Sequence, residues 1–218
     1  MSTISPVWIM IGLDLLMIVY TLWALSLAKL NGKSGVLIGA ALLGWLLALH
    51  WGLSKQALFA TDISGVAFLA VIFTAVALVG AVLLLIAPLR QLLFAIGQEQ
   101  LMLMQGVRVF FGAVFLMFAS QGVLPATFGI IDGFTHIGAG FFGLIAAFSI
   151  ARGVNGPRRA WFANLFGLAD ILIVASSLAL VLLPAIGPHH PLMYAVFLPA
   201  PLWLWFHLIS MIRLMKAG

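Results

Sequence analysis

The chain has 218 residues, of which 65% are hydrophobic and only 7% charged, and its mean hydropathy is +1.26. Soluble domains carry roughly 25% charged residues, so this composition excludes an ordinary water-soluble domain. The net charge is +5, but the basic residues are scattered along the chain, which excludes a clustered nucleic-acid-binding face. The absence of cysteine excludes disulfides, Fe–S clusters, thiolate zinc sites and cysteine nucleophiles.

Seven apolar segments follow one another along the chain, separated by short polar, Gly-rich or Pro-rich turns. A helix needs about 20 apolar residues to cross the hydrocarbon core. The sequence therefore predicts an all-α polytopic transmembrane bundle of seven helices in a single domain, 1–218. The predicted spans are 7–28, 35–53, 64–88, 101–123, 127–150, 160–184 and 192–214. Residues 90–100 are predicted as an interfacial helix that leads into the fourth span.

The distribution of Lys and Arg predicts the orientation of this bundle. With the N-terminus outside and the C-terminus cytoplasmic, Lys55 alone lies at an outer end. The cytoplasmic ends then hold Lys29, Lys33, Arg90, Arg152, Arg158, Arg159, Arg213 and Lys216. We therefore expect an integral protein of a bacterial-type cytoplasmic (inner) membrane.

Four charged residues lie inside predicted spans and away from the span ends: Arg108, Asp14, Asp132 and Asp170. A guanidinium keeps its proton, and placing it at bilayer depth costs at least a few kcal/mol. Such groups persist where they face one another or internal water. We expect them to mark the working centre of the bundle.

Helix geometry indicates how these groups pair. At 1.5 Å per residue, Asp170 lies roughly 15 Å and Arg108 roughly 10 Å from the cytoplasmic end. Depth therefore favours an Arg108–Asp170 pair, with Asp132 and His136 nearer the outside, although an Arg108–Asp132 pair stays open. Gln105 shares the face of Arg108, and Asn164 flanks the face that carries Gly167, Asp170 and Ser177.

The fifth span has the clearest pattern, because one face carries residues at spacings of four, three, four and three. They are Gly129, Gly133, His136, Gly140 and Gly143. Glycines at such spacings are typical of a close helix-packing seam. Asp132 and His136 are too costly inside a membrane to serve as packing alone, so this seam is also the candidate wall of a pathway or ligand site.

The charge count predicts sensitivity to protons or cations. One permanent cation faces three acids, so two acids remain after Arg108 has paired. Unpaired carboxyls in a low dielectric take up protons, or they bind a cation or a protonated His136. The alternative is a static buried network that only holds the bundle together.

The histidines leave two cofactor alternatives open. His50, His136 and Asp132 lie in the outer half, and imidazole with carboxylate suits a divalent metal such as zinc, copper or iron. A haem held by His50 and His136 is the second alternative. His207, in the last span, is predicted to be an interfacial or interhelical hydrogen bonder.

The last span contains Pro199 and Pro201, each of which removes a backbone donor. We expect these prolines to interrupt the helix, as in the broken helices that line transport sites. Trp203, Trp205 and Phe206 follow and face either lipid or a substrate, and most of them are predicted to face lipid.

These observations predict transport or conduction of a small solute or ion, coupled to or gated by protonation. The bilayer and the small solute or ion are the expected partners, and a homo-oligomer or a larger membrane complex is an open possibility. The predicted substrate- or ion-binding residues are Arg108, Asp132, His136, Asp170, Gln105, Asp14 and Asn164. The alternatives are a haem- or metal-dependent membrane enzyme and a structural or assembly subunit. The lysines lie near segment ends, so none is placed to carry a retinal Schiff base.

Overall fold

The structure is a computed structural model that describes residues 5–27 and 32–217. Position 28, the expected end of the first span, and Lys29 lie outside these ranges. The described residues form helices and short connections, without strands. In chain order the helices are α1 (Pro6–Leu27), α2 (Gly32–Ser54), α3 (Gly65–Leu85), α4 (Ala87–Ala95), α5 (Gln98–Ser120), α6 (Ala126–Ala151), α7 (Gly156–Ile186), α8 (Met193–Phe197) and α9 (Pro199–Ala217).

Six helices in the described part of the chain are long and apolar enough to cross a membrane. They are α1, α2, α3, α5, α6 and α7. The all-α prediction is confirmed for the described residues, and six of the predicted spans have the length and apolarity that crossing a membrane requires. The predicted interfacial segment 90–100 is divided, because α4 ends at Ala95 and α5 begins at Gln98.

The seventh predicted span is two helices, α8 and α9, which meet at Leu198. The break precedes the prolines, and both Pro199 and Pro201 lie in the first turn of α9. Proline is tolerated there because the first N–H groups of a helix have no intrahelical partner. The predicted interruption of the last span is confirmed at Leu198, directly before Pro199. Pro201 does not interrupt the helix, and α9 runs unbroken from Pro199 through the interior of the bundle.

Two helices depart from regular α geometry next to charged residues. In α5, Met104–Val107 is a 3₁₀ turn that ends directly before Arg108. In α7, Leu178–Leu182 is a π-helical turn, two turns beyond Asp170. Irregular turns of these kinds inside helices are frequent at functional sites, and both turns lie close to the polar groups described below.

Contacts between helix ends define two ends of the bundle. At one end, which we call the His50 end, the ring of Trp8 contacts that of His50, and His190 lies 3.1 Å from the Val123 carbonyl oxygen. At the opposite end, the Arg213 end, the Arg213 side chain donates to the Phe94 carbonyl (2.7 Å). Consecutive long helices therefore run between these two ends in alternating directions.

The glycine face of α6 packs directly on α5. A Cβ on Gly112 would lie 2.4 Å from the carbonyl oxygen of Gly133, and one on Gly143 would lie 2.9 Å from that of Met102. Backbone therefore meets backbone along this seam, as the spacing of the glycines predicts. The seam fixes Asp132 and His136 on α6 opposite Arg108 on α5.

The seam predicts a specific packing defect. Gly112→Ala would place a methyl group against the backbone of Gly133, and we expect a loss of about 1–3 kcal/mol in unfolding free energy. The measurement is denaturant-induced unfolding of the detergent-purified protein. Gly44→Ala is the matched control, because a Cβ there meets nothing within 4 Å, and the change should be neutral or stabilising by about 0.5–1 kcal/mol. Equal stabilities of the two variants would contradict the seam.

The loop that carries His190 predicts a pH dependence of stability. Its Nδ1 accepts from the Leu192 N–H (3.1 Å), so Nε2 carries the proton toward the Val123 carbonyl. Burial lowers the pKa of His190 below 6.5, against a smaller opposing effect of the Val123 bond. The stabilisation is therefore complete above about pH 6.5 and declines as the pH falls toward the lower folded-state pKa, because the unfolded state binds the proton first.

We expect His190→Asn to lower the apparent Tm at pH 7.5 but to flatten its decline toward pH 5. Asparagine can still accept the Leu192 N–H in a local turn, but it does not titrate. The measurement compares apparent Tm with pH for both proteins, and parallel curves would contradict the assignment.

Candidate functional site

Arg108 is the centre of a polar cluster enclosed by α5, α6, α7 and α9. Its side chain has no solvent-exposed area and forms an ion pair with Asp170 through Nη2. Nη1 faces the Gly167 carbonyl oxygen (3.5 Å) and His207 Nε2 (3.2 Å). A Cβ on Gly167 would lie 2.3 Å from His207 Nε2. Glycine at this position of α7 therefore leaves room for the Arg108 and His207 side chains to contact each other.

The neighbours of Arg108 form a directed chain of hydrogen bonds. A guanidinium only donates, so His207 accepts at Nε2 and holds its proton on Nδ1, which donates to Asn164 Oδ1 (2.9 Å). Asn164 Nδ2 then donates to Ser210 Oγ (2.6 Å), which also accepts from Gln98 Nε2. This chain holds His207 neutral and positions Arg108. Its amides and guanidinium are poor proton relays, so its role is to orient.

Asp132 and His136 make the second contact of the cluster. His136 Nδ1 lies 2.8 Å from Asp132 Oδ1 and 3.3 Å from Asp170 Oδ2. Both residues are buried, and neither Asp132 oxygen has an aligned hydrogen bond from the described residues. The Asp132 carboxyl and the His136 imidazole are therefore in direct contact beside the Arg108–Asp170 pair.

Aromatic rings and a small cavity border this contact. Trp203 lies edge-on to His136, with ring centroids 5.8 Å apart, and its ring faces the Arg108 guanidinium carbon at 5.1 Å. The ring of Phe115 also packs against that of His136, with ring centroids 5.2 Å apart. Asp132, His136 and Trp203 line a cavity of about 50 Å³, which has room for water but not for a larger solute. The cluster is thus sheltered from lipid.

A second polar group lies between α1, α2 and α8. His50 Nδ1 is 2.6 Å from the Tyr194 hydroxyl, and the buried Asp14 is close enough to Tyr194 to interact with it electrostatically. Both Asp14 oxygens lack a hydrogen bond from the described residues. Imidazole, phenol and carboxyl can each pass a proton. The next residues on α8, Ala195 and Val196, line the central cavity, so α8 separates the two polar groups.

The structure divides the predicted binding residues into three sets. The central cluster contains Arg108, Asp132, His136, Asp170 and, through His207, Asn164. Asp14 belongs to the second polar group. Gln105 is buried in the 3₁₀ turn before Arg108, its amide has no hydrogen-bond partner among the described residues, and its Cβ packs on Gly143.

The predicted metal and haem ligands are also separated. His50 bonds to Tyr194 and is not in the group whose ligand atoms lie within 4.8 Å of one another, which is Asp132, His136 and Asp170. That triad has ligand types suited to a divalent metal, but the Arg108 guanidinium pairs with one of its oxygens and repels a dication. For haem, the two proposed ligands have other partners: His50 bonds to Tyr194, and Phe115 and Trp203 pack against the His136 ring.

Several residues of the cluster were not predicted from the sequence. Trp203 and Phe206 are buried, so the prediction that they face lipid is wrong. Ser210 and Gln98 were not predicted to have a role. His207 is an interhelical hydrogen bonder, which is one of the two roles predicted for it. The available signal was the spacing of Trp203, His207 and Ser210, which places all three on one face of α9.

Fold and site together define an all-helical protein with six helices able to cross a membrane and a buried charged centre, among the described residues. Within that class, the chain belongs to the family described as "Domain of unknown function (DUF8737)", whose model matches residues 66–215. The match contains the whole central cluster and leaves Asp14 and His50 outside. No curated protein and no solved structure matches the chain.

The central pair predicts an asymmetric response to mutation. Arg108→Met would leave Asp170 and Asp132 buried without their cation, and we expect a loss of about 3–5 kcal/mol in unfolding free energy. The double variant Arg108→Met/Asp170→Leu should recover part of that loss, because it removes the buried charge together with its partner. Denaturant unfolding in detergent measures both. Arg158→Met, at an exposed position on α7, is the control and should change stability by less than about 0.5 kcal/mol.

Proposed function

We propose that the protein transports or conducts a small solute or ion across a membrane, with movement coupled to or gated by protonation of Asp132 and His136. The observation that carries the proposal is the 2.8 Å contact between these two side chains. It lies beside a permanent ion pair and borders a cavity large enough for water.

The net charge of the cluster depends on whether Asp132 and His136 hold an added proton. Arg108 and Asp170 cancel, so the cluster is neutral while Asp132 and His136 share one extra proton. Loss of that proton leaves a net negative charge inside the bundle, which is expensive in a low dielectric. A cation or a rearrangement of the cluster must then compensate. Protonation is thereby linked to ion occupancy or to conformation.

We propose seven spans, with α8 and α9 together forming the seventh. Among the described basic residues, the Arg213 end of the bundle carries Lys33, Arg90, Arg152, Arg158, Arg159, Arg213 and Lys216, whereas the His50 end carries Lys55. By the positive-inside rule the Arg213 end is cytoplasmic. The N-terminus then lies outside and the C-terminus inside, in a bacterial-type inner membrane.

Access to the centre requires movement, because the cavity beside His136 is small. Its wall includes the residues around the α8–α9 break and Leu178 of the π-helical turn. Both are places where backbone hydrogen bonding already departs from the α pattern, so a shift there breaks few bonds. We propose that the described conformation is closed and that α8 opens the centre toward the His50 end, where His50, Tyr194 and Asp14 provide proton-carrying groups.

The test is proton flux into proteoliposomes that contain a pH-sensitive dye. A pH gradient is imposed, and valinomycin with K⁺ dissipates the membrane potential. We expect Asp132→Asn and Asp170→Asn each to reduce the protein-dependent flux strongly, because each removes an ionisable carboxyl from inside the bundle. Asp62→Asn, in an exposed loop, is the control and should leave the flux unchanged.

Unchanged flux in both intramembrane variants would reject the coupling. Circular dichroism and size-exclusion profiles that match the wild type are required for each variant. With that control, a loss of flux reflects the missing carboxyl rather than an unfolded protein.

A further inference from the structure

A large apolar cleft lies away from the polar cluster, between α2 and α3. Its volume is about 760 Å³, within the usual range of ligand pockets. The cleft exists because α2 packs on α1 and α8, whereas α3 packs on α4, α7 and α9. Its inner wall includes Phe197, Leu202 and Phe206, so α8 and α9 form the floor.

The walls of the cleft offer hydrocarbon contacts. Two hydroxyl groups line it, and both are already used: Thr21 donates to the Met17 sulfur (3.4 Å), and Thr74 donates to the Ala70 carbonyl (2.8 Å). The rest of the lining is aliphatic or aromatic, including Trp45. An occupant therefore has an apolar body and needs no hydrogen bond inside the cleft.

The cleft opens sideways, toward the surface that would face lipid. Leu37, Leu78 and Leu58 line it and are 71, 62 and 43% exposed. A molecule dissolved in the bilayer can therefore enter without crossing water. This arrangement favours a membrane lipid over a water-soluble ligand.

One mouth of the cleft is basic. Leu37 lies one turn from Lys33, and Leu89 precedes Arg90; both basic side chains are exposed. Lys216 also reaches this mouth, since its Nζ lies 5.6 Å from the ring of Phe94, the neighbour of the lining residue Leu93. Glu99 is the one acidic residue at this end among those that the structure describes. Such basic sites between helices bind anionic lipid headgroups.

We propose that the cleft binds an anionic glycerophospholipid, with acyl chain in the apolar cavity and phosphate beside Lys33 and Arg90. The two requirements are separate on the protein. The cavity recognises the chain, and the basic mouth recognises the headgroup. The cleft shares α9 with the central cluster, but this proposal does not depend on the proposed transport function.

The experiment uses Trp45 as a reporter inside the cleft. The detergent-purified full chain is titrated with phosphatidylglycerol or phosphatidylcholine that carry the same brominated acyl chains. The quenching of Trp45 fluorescence by the brominated chains is taken as the difference between the wild type and Trp45→Phe. We expect saturable quenching with an apparent affinity about tenfold higher for phosphatidylglycerol, the order expected from two basic residues near an anionic headgroup.

Two sets of variants separate chain from headgroup. Ala41→Phe/Ala75→Phe fills the cavity and should abolish saturable quenching by both lipids, whereas Ala40→Phe, on an exposed position of α2 outside the cleft, should not. Lys33→Gln/Arg90→Gln should equalise the two lipids, and Arg158→Gln should retain the preference.

Three outcomes would overturn the proposal. Quenching that rises linearly with lipid, without saturation, would show ordinary surface contact. Equal affinities of the wild type for the two lipids would show that the mouth does not select charge. Full quenching in the cavity-filling variant, with wild-type circular dichroism, would place the lipid elsewhere.

Discussion

The ion pair between Arg108 and Asp170 is the constraint on which the interior of this protein depends. Neither charge is tolerable alone at this depth, so α5 and α7 must face each other at these two residues. Pairing through Nη2 still leaves Nη1 to be satisfied, and His207 on α9 meets that need, whereas Nε has no hydrogen-bond partner among the described residues. Asn164 and Ser210 then follow, because each polar group buried beside another requires a partner. One arginine thus fixes the contact of three helices.

The α5–α6 seam makes this arrangement possible. Glycines on both helices bring the backbones into contact, and the reach of Arg108 therefore extends past α6 to α7. The same approach places Asp132 and His136 within ionic distance of the pair. A larger residue at Gly112 or Gly133 would widen the gap, and the cluster would lose either its shelter or its contacts. Packing and electrostatics are for this reason inseparable here.

The sequence was most informative where a cost could be assigned to a residue. The sequence favoured a pair between Asp170 and Arg108, because charged side chains avoid lipid and the helix rise per residue places the two at similar depth. The glycine face of α6 was readable because its period is local. The long apolar helices could also be predicted, because apolar length is a local property of the sequence. The last predicted span was the exception, since it is divided into α8 and α9.

The remaining features depend on contacts that no local pattern encodes. Trp203 follows a proline-rich turn in an apolar helix, and an indole there satisfies a lipid-facing pattern as well as a buried one. Its burial follows from the position of α9 inside the bundle, with neighbours on every side. His50 was grouped with His136 by depth alone, whereas lateral position gave it Tyr194 as a partner. Depth is a one-dimensional coordinate, and helix order around the bundle supplies the other two.

The central position of α9 relates the polar cluster to the apolar cleft. Trp203 and His207 face the cluster, while Leu202 and Phe206, each one residue earlier, face the cleft. A rotation of α9 about its axis cannot change one set of contacts without changing the other. α9 is separated from α8 at Leu198, where the helix of the last span is interrupted. The polar cluster and the apolar cleft therefore share one continuous helix as a common wall.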